Sequence, residues 1–273
     1  MRIAVLQMRA GIEPAANAER LTAAVAEAAA GGAVMLFTPE MSGLLDRDRA
    51  RAAGRIVEER EDVVLAAVRE AAAAHGIWVA LGSLAVATNE RWANRSFVVD
   101  ANGMVVGRYD KLHLFDVTLA SGEQWRESAA YSAGEQAVAV DSPCGRLGLS
   151  VCYDLRFPAL YQALAEAGCD LLAVPSAFTV PTGRAHWHTL VRARAIENAA
   201  FVVAAAQSGC HEDGRATYGH SLVIDPWGEV LLDGGEGEGV LFCDIELARV
   251  RQALQQVPVR ASRRAIPPVM VLP

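Results

Sequence analysis

Aromatic residues are few in this chain, 6% of the total, and there are only five cysteines. Cys144, Cys152, Cys169, Cys210 and Cys243 are odd in number and scattered, with no CxxC pair among them. That excludes a zinc knuckle and a dithiol redox centre, and it implies reduced thiols. An excess of basic charge is also missing. Lys and Arg number 25 against 32 Asp and Glu, a formal charge of -7, and no basic stripe offers itself to phosphates. Nucleic acid is therefore not an expected partner. No apolar run approaches the length that crosses a bilayer. The opening MRIAVLQM is too short for a signal-peptide core and is soon followed by Glu13 and Pro14. The expectation is a soluble, cytoplasmic protein with no membrane partner.

What is present is ample apolar material. With 52% hydrophobic residues over 273 positions, the chain can fill the core of one large α/β domain. No linker-like stretch interrupts residues 1–264, and the only compositional break is the Pro-rich end, 265–273. Arg2 to Met8 reads as a buried strand and Pro14 to Ala30 as a helix stopped by Gly31 and Gly32. A strand from Val34 to Phe37, a long helix from Asp48 to His75 and a strand from Ile77 to Ala85 follow, the β-α-β-α-β order of a sheet covered by helices. A hairpin, Ser96 to Asp100 and Met104 to Tyr109, turns at Ala101-Asn102-Gly103. The second half adds strands at 137–140, 146–151, 171–174, 201–206 and 239–244, helices at 158–167 and 183–198, and a last helix from Glu246. The phrase Val-Val-Asp-Ala-Asn-Gly at 98–103 returns as Val-Ile-Asp-Pro-Trp-Gly at 223–228. Ordinary turn chemistry explains such a recurrence, since Asp and Gly suit these turns wherever they occur. Two similar halves with their sheets packed face to face would explain it as well.

Three strand ends carry reactive side chains. In GLSVCYDLRFP an apolar strand delivers Cys152 to a turn just before a helix, the place where open α/β sheets hold ligands. The next backbone N–H, that of Tyr153, is set to meet a developing oxyanion. A thiol has an ordinary pKa of about 8.5 and needs help to attack at neutral pH. FTPE places the carboxylate of Glu40 just past one strand, and GRYDK places the ammonium of Lys111 just past another. Either alone reads as a solvated loop residue.

Together, FTPE, YDKLHLFD and VCYDLRFP resemble the three signatures of the nitrilase superfamily. The similarity continues through PSAFT, TGRAHWH, RARAIENAAFVVAAAQ, YGHS and DPWGEV, to about Arg264. The later phrases are most similar to the Nit-type amidase branch, which includes deaminated glutathione amidases and omega-amidases. The resemblance implies an α/β fold of the four-layer αββα sandwich type and supports the two-halves reading. It also implies no metal, no organic cofactor, and an even-numbered homo-oligomer formed through the helices after the nucleophile. It gives Glu40 the part of general base, Lys111 that of the positive group near the oxyanion, and Cys152 that of nucleophile. Glu127, between the lysine and cysteine segments, resembles the family's second glutamate, placed to hold the ammonium charged. The implied reaction is amidase chemistry on a small carboxamide through a thioester. A nitrilase, an N-carbamoyl or aliphatic amidase on the same residues, or a non-catalytic binding member, are the rival readings.

Three further residues are candidates for gripping a carboxylate-bearing substrate. Arg156 lies at the mouth of the cysteine turn. Thr182 is expected to begin the helix at Gly183 and to present its hydroxyl beside free N–H groups, with Phe178 as an apolar wall. Arg156 has a plainer reading as the partner of Asp154, and Thr182 as a simple cap. His186 and His188 have the H-x-H spacing of some metal sites, but two residues apart on a helix they face different ways, so no metal is expected. His113 and His220 are expected to shape or hydrogen-bond the active-site walls. The chain departs from the branch at its end, where Ala265-Ile266-Pro267-Pro268 stands in place of an acidic, Tyr-containing tail.

Overall fold

Alternation along the first strand shows how the molecule is layered. In β1 (Arg2–Gln7), Ile3 and Val5 join one buried cluster while Ala4 and Leu6 join another, because successive side chains of a strand point to opposite faces. The second cluster lies under α1 (Pro14–Ala30), which contributes Leu21, Val25 and Ala28. The first fills the space between two sheets and continues beneath the helices of the second half, with Tyr161, Leu164 and Val191. The computed structural model describes residues 1–89, 91–118, 122 and 124–272.

After β2 (Met35–Phe37) the chain does not form the single long helix expected over 48–75. Asp48 caps a short α2 (Arg49–Ala53) by accepting the N–H groups of Ala50 and Arg51. Gly54 ends α2, a 3-10 turn follows at Glu59–Glu61, and Asp62 caps α3 (Val63–His75) by accepting Val64 and Leu65 N–H at 2.9 and 2.8 Å. The Ala, Arg and Glu content favours helix throughout, but two aspartate caps and a glycine stop divide it. Gly76, at φ 64°, closes α3 in the left-handed conformation. Then come β3 (Trp78–Ala87), β4 (Trp92–Val99) and β5 (Val105–Asp110). A small ladder of β6 (Asp116–Thr118) and β7 (Gln124–Arg126) follows.

The second half runs β8 (Ala139–Ser142), β9 (Gly145–Leu149), α4 (Pro158–Glu166), β10 (Leu171–Ala173), α5 (Val180–Asn198) and β11 (Phe201–Ala204). Next are a small ladder, β12 (Ser208–Cys210) with β13 (Ala216–Tyr218), and the hairpin β14 (Leu222–Ile224) and β15 (Val230–Asp233). β16 (Gly239–Asp244) returns to pair with β1, and α6 (Ala248–Gln256) follows. The two small ladders were not foreseen.

Two six-stranded sheets result, ordered β16-β1-β2-β3-β4-β5 and β15-β14-β11-β10-β9-β8. Each has an antiparallel edge strand, three parallel strands and an antiparallel hairpin. The recurrent phrase forms the hairpin turn in both halves. Asp100 Oδ1 accepts the N–H groups of Asn102 and Met104 at 2.9 and 2.8 Å, and Asp225 Oδ1 those of Trp227 and Glu229 at 2.9 and 2.7 Å. Gly103 and Gly228 take φ of 76° and 87° in the matching positions. Plain turn chemistry alone would not give both sheets the same strand order, so the two-halves reading is the one the topology supports.

The sheets face each other, with α1 and α3 outside one and α4 and α5 outside the other: a four-layer αββα sandwich. Gly148 of β9 lets α4 lie close, since a Cβ there would stand 3.1 Å from Leu164 Cβ. On α5, Trp187, Val191 and Arg194 are buried within the chain, so they are not free to face a second copy. Residues 265–272 have no regular secondary structure, and the apolar side chains from Ile266 to Leu272 are exposed. Among the described residues no helix is long and apolar enough to cross a membrane.

Candidate active site

Topology brings the three reactive strand ends to one edge. β4 runs antiparallel to β3 and β5 antiparallel to β4, so β5 points the same way as β2. Glu40 and Lys111 therefore leave the first sheet at the same end. Cys152 leaves the facing sheet beyond β9. All three line one cleft of about 690 Å³, a size suited to a small-molecule ligand.

Cys152 begins a 3-10 turn, Cys152–Arg156, with φ of 49°, a left-handed conformation that a side chain with a Cβ seldom adopts. The turn is held from behind. Asp154, fully buried, accepts Tyr109 Oη–H at 2.7 Å and Val151 N–H at 2.8 Å on one oxygen. Its other oxygen accepts His113 N–H at 3.0 Å and faces His113 Nδ1 at 2.6 Å. The Cys152 N–H donates to Pro175 O at 2.9 Å. Tyr153 is the second residue of the turn, so its N–H has no acceptor within that turn. His113 stacks on Phe157, ring centroids 3.6 Å apart. It supports the turn rather than forming a wall of the cleft.

Lys111 is 2% exposed and sits between two carboxylates. Its Nζ donates to Glu40 Oε1 at 2.9 Å and to Glu127 at 2.9 Å (Oε2) and 3.2 Å (Oε1). Burial works against the ammonium, but the charges of Glu127 and Glu40 overcome it and hold its pKa well above the usual lysine value. Glu127 opens a 3-10 turn after β7, and its Oε2 also accepts Phe115 N–H at 2.6 Å. The second oxygen of Glu40 accepts Ala177 N–H at 3.0 Å. Burial, and then the charge of Glu40, push the Cys152 thiol well up, with Lys111 pulling the other way. The resting cysteine is thus a protonated thiol, and its proton must leave as it attacks.

Arg156 is not the partner of Asp154. Its guanidinium lies 5.5 Å from the Phe178 ring centroid and 6.0 Å from that of Tyr153, with Nη1 3.3 Å from His186 Nδ1. It has no carboxylate partner among the described residues. Phe178 is buried in the cleft wall, 4.8 Å from Trp187 between centroids. Thr182 lines the cleft but does not begin the helix. The cap is Thr179, α5 starts at Val180, and the Thr182 hydroxyl is taken up by Thr179 Oγ1 at 2.8 Å. Pro181 has no N–H, so this helix start offers fewer donors than expected. His220 stands outside the cleft, against Tyr218 and Asp233.

Several residues at the site were not foreseen. Asn94, in the middle of β4, donates from Nδ2 to Glu40 Oε1 at 3.0 Å and Glu127 Oε1 at 3.1 Å. Gln207, fully buried, donates to the Glu40 carbonyl at 2.9 Å. Arg215 and Trp125 line the cleft with the guanidinium 5.0 Å from the ring centroid. Asn94 is followed in β4 by Arg95 and Ser96, so no local pattern in the strand marked it.

The model of the carbon-nitrogen hydrolase family matches residues 2–255. The deaminated glutathione amidase of Yersinia enterocolitica is 35% identical over 268 residues, 97% of this chain and 93% of that protein. The crystal structure of the C. elegans NitFhit protein has a TM-score of 0.89 at 37% identity, covering 96% of this chain and 65% of that one. The Saccharomyces cerevisiae Nit3 structure, a member of branch 10 of the nitrilase superfamily, has a TM-score of 0.86 at 26% identity and covers 97% of both chains. With its sandwich and its cleft, this chain belongs to the carbon-nitrogen hydrolase family and is a hydrolase of carbon-nitrogen bonds.

Proposed function

We propose that the chain is an amidase that converts a small, carboxylate-bearing carboxamide, such as a 2-oxo acid amide or deaminated glutathione, into the acid and ammonia. The observation that carries this reading is Lys111 buried between Glu40 and Glu127 in the cleft that Cys152 also lines. Glu40 takes the proton as Cys152 Sγ attacks the amide carbon. Lys111 Nζ and the Tyr153 N–H stabilise the oxyanion. When the tetrahedral intermediate collapses, the carbon-nitrogen bond breaks and Glu40 passes its proton to the leaving nitrogen, giving ammonia and a thioester. Water, deprotonated by Glu40, attacks the thioester; the acid leaves and the proton returns to sulfur. Glu127 keeps Lys111 in place and charged.

The carboxylate of the substrate is assigned to Arg156, which lines the cleft and has no acidic partner among the described residues, with Phe178 as the apolar wall and Thr182 at the rim. Ammonia release across a panel of carboxylate-bearing amides, neutral amides and nitriles tests the whole reading. Turnover should be absent in Cys152→Ser, and Arg156→Lys should raise KM chiefly for the carboxylate-bearing amides. Undiminished turnover in Cys152→Ser would sink the mechanism, and equal losses on charged and neutral amides would remove Arg156 from recognition. We also propose an even-numbered homo-oligomer formed through the exposed faces of α4 and α5. Light scattering should give twice the 29.0 kDa chain mass or an even multiple of it, and a monomeric mass would refute that assembly.

A further inference from the structure

Away from the cleft, three side chains from separate elements converge at the end of the β14–β15 hairpin. His188 comes from the middle of α5, His220 from the segment leading into β14, and Asp233 is the last residue of β15. His188 Nε2 lies 2.9 Å from Asp233 Oδ2, and His220 Nδ1 lies 2.8 Å from Asp233 Oδ1. The imidazoles meet edge to face, centroids 5.1 Å apart and planes at 70°. Each addresses its own carboxylate oxygen, and the donor atoms all lie within 4.8 Å of one another. The side chains keep 22% to 36% of their surface exposed, so an ion can reach them.

We propose that His188, His220 and Asp233 form a Zn²⁺ site, with water in the fourth position, that ties α5 to the β14–β15 hairpin. Two imidazole nitrogens and one carboxylate oxygen are a donor set that suits this ion. With metal-ligand bonds of about 2.0–2.1 Å, tetrahedral donors stand roughly 3.3 Å apart. The three ligand atoms lie within 4.8 Å of one another, so reaching that spacing takes shifts of about 1.5 Å or less, within reach of side-chain rotation.

The surroundings already orient these groups. The His220 ring stacks on Tyr218 at 4.5 Å and 25°. Its backbone N–H donates to Gly235 O at 2.6 Å, and its carbonyl accepts Trp187 Nε1–H at 2.7 Å. Asp233 Oδ1 accepts Gly235 N–H at 2.9 Å. His186, which shares the H-x-H spacing with His188, turns to Arg156 instead. The pair adjacent in sequence is thus not the ligand pair; the partners of His188 are 32 and 45 residues further on, at His220 and Asp233.

Calorimetric titration of the chelator-treated full chain with Zn²⁺ tests the site, with Co²⁺ absorption as a reporter of ligand type. One equivalent should bind, and the cobalt spectrum should show nitrogen and oxygen ligation without a thiolate charge-transfer band. His188→Ala and Asp233→Asn should each weaken binding by about tenfold or more, and His186→Ala should not. Zn²⁺ should raise the Tm of the unmodified chain and leave that of Asp233→Asn unmoved. Ammonia release by His188→Ala should match the unmodified chain, which separates this site from the cleft. No stoichiometric binding, unchanged affinity in Asp233→Asn, or a thiolate band would overturn the proposal.

Discussion

Asn94 carries an argument that turns on one unsatisfied atom. Its Oδ1 is buried and has no partner among the described residues, while its NH₂ group bridges Glu40 and Glu127. A buried acceptor left unpaired costs about 1–3 kcal/mol. Flipping the amide would not relieve it, because Oδ1 would then meet two carboxylate oxygens. The orphan is tolerated because the other end of the side chain fixes both acids that flank Lys111. Asn94 is thus a positioning residue, and Asn94→Ala should lower kcat by about 10- to 100-fold with little change in KM. Asn94→Asp makes the sharper test. Only its protonated form can donate, through its single O–H to one of the two acids, so its activity should recover in part towards acid pH relative to the unmodified chain. A loss that is the same at every pH would show that Asn94 merely fills space.

At the scale of elements, what could be read from the sequence followed periodicity and turn chemistry, and what could not was set by partners distant in the chain. β16 was placed at 239–244 and lies there, since an apolar run between glycine and aspartate leaves little choice. The helix at 14–30 was equally plain, from proline at its start to Gly31 at its end. The division of 48–75 into α2 and α3 was missed because helix propensity was weighed over the whole stretch, while Asp48, Gly54 and Asp62 act one residue at a time. α5 starts three residues before the expected Gly183, and that shift removes the free donors once attributed to Thr182. β6, β7, β12 and β13 are three residues each, too short for any alternation to register. β7 and β13 nevertheless carry the cleft-lining residues Gln124, Trp125, Arg126, Ala216 and Thr217.

For the molecule as a whole, Glu40, Lys111 and Cys152 stood out only as three signatures taken together, since each alone reads as an ordinary loop or core residue; the structure brings them to one cleft, through a network that the sequence did not reveal. Asp154, Tyr109 and Gln207 act from separate segments, and nothing local marks them. Burial on this scale also sets a pH limit on stability. Burial pushes the Cys144 thiol up from 9.0 to about 12, and those of Cys169 and Cys243 to about 11. Each folded pKa lies above its unfolded value. As pH rises past 9.0, the unfolded chain releases these protons while the folded chain keeps them. The unfolded state then binds fewer protons, so stability falls as pH increases. Their contribution is fully present below the unfolded value and is lost as pH climbs through the folded ones, at roughly 1.4 kcal/mol per pH unit for each thiol. Calorimetric Tm should therefore be nearly level from neutral pH to 9.0 and fall steeply above it. Replacing Cys144, Cys169 and Cys243 by Ala lowers Tm at neutral pH by leaving small cavities, so the decisive quantity is the alkaline slope rather than Tm itself. That slope should flatten in the triple variant, and an unchanged slope would mean that these buried thiols do not set the alkaline limit.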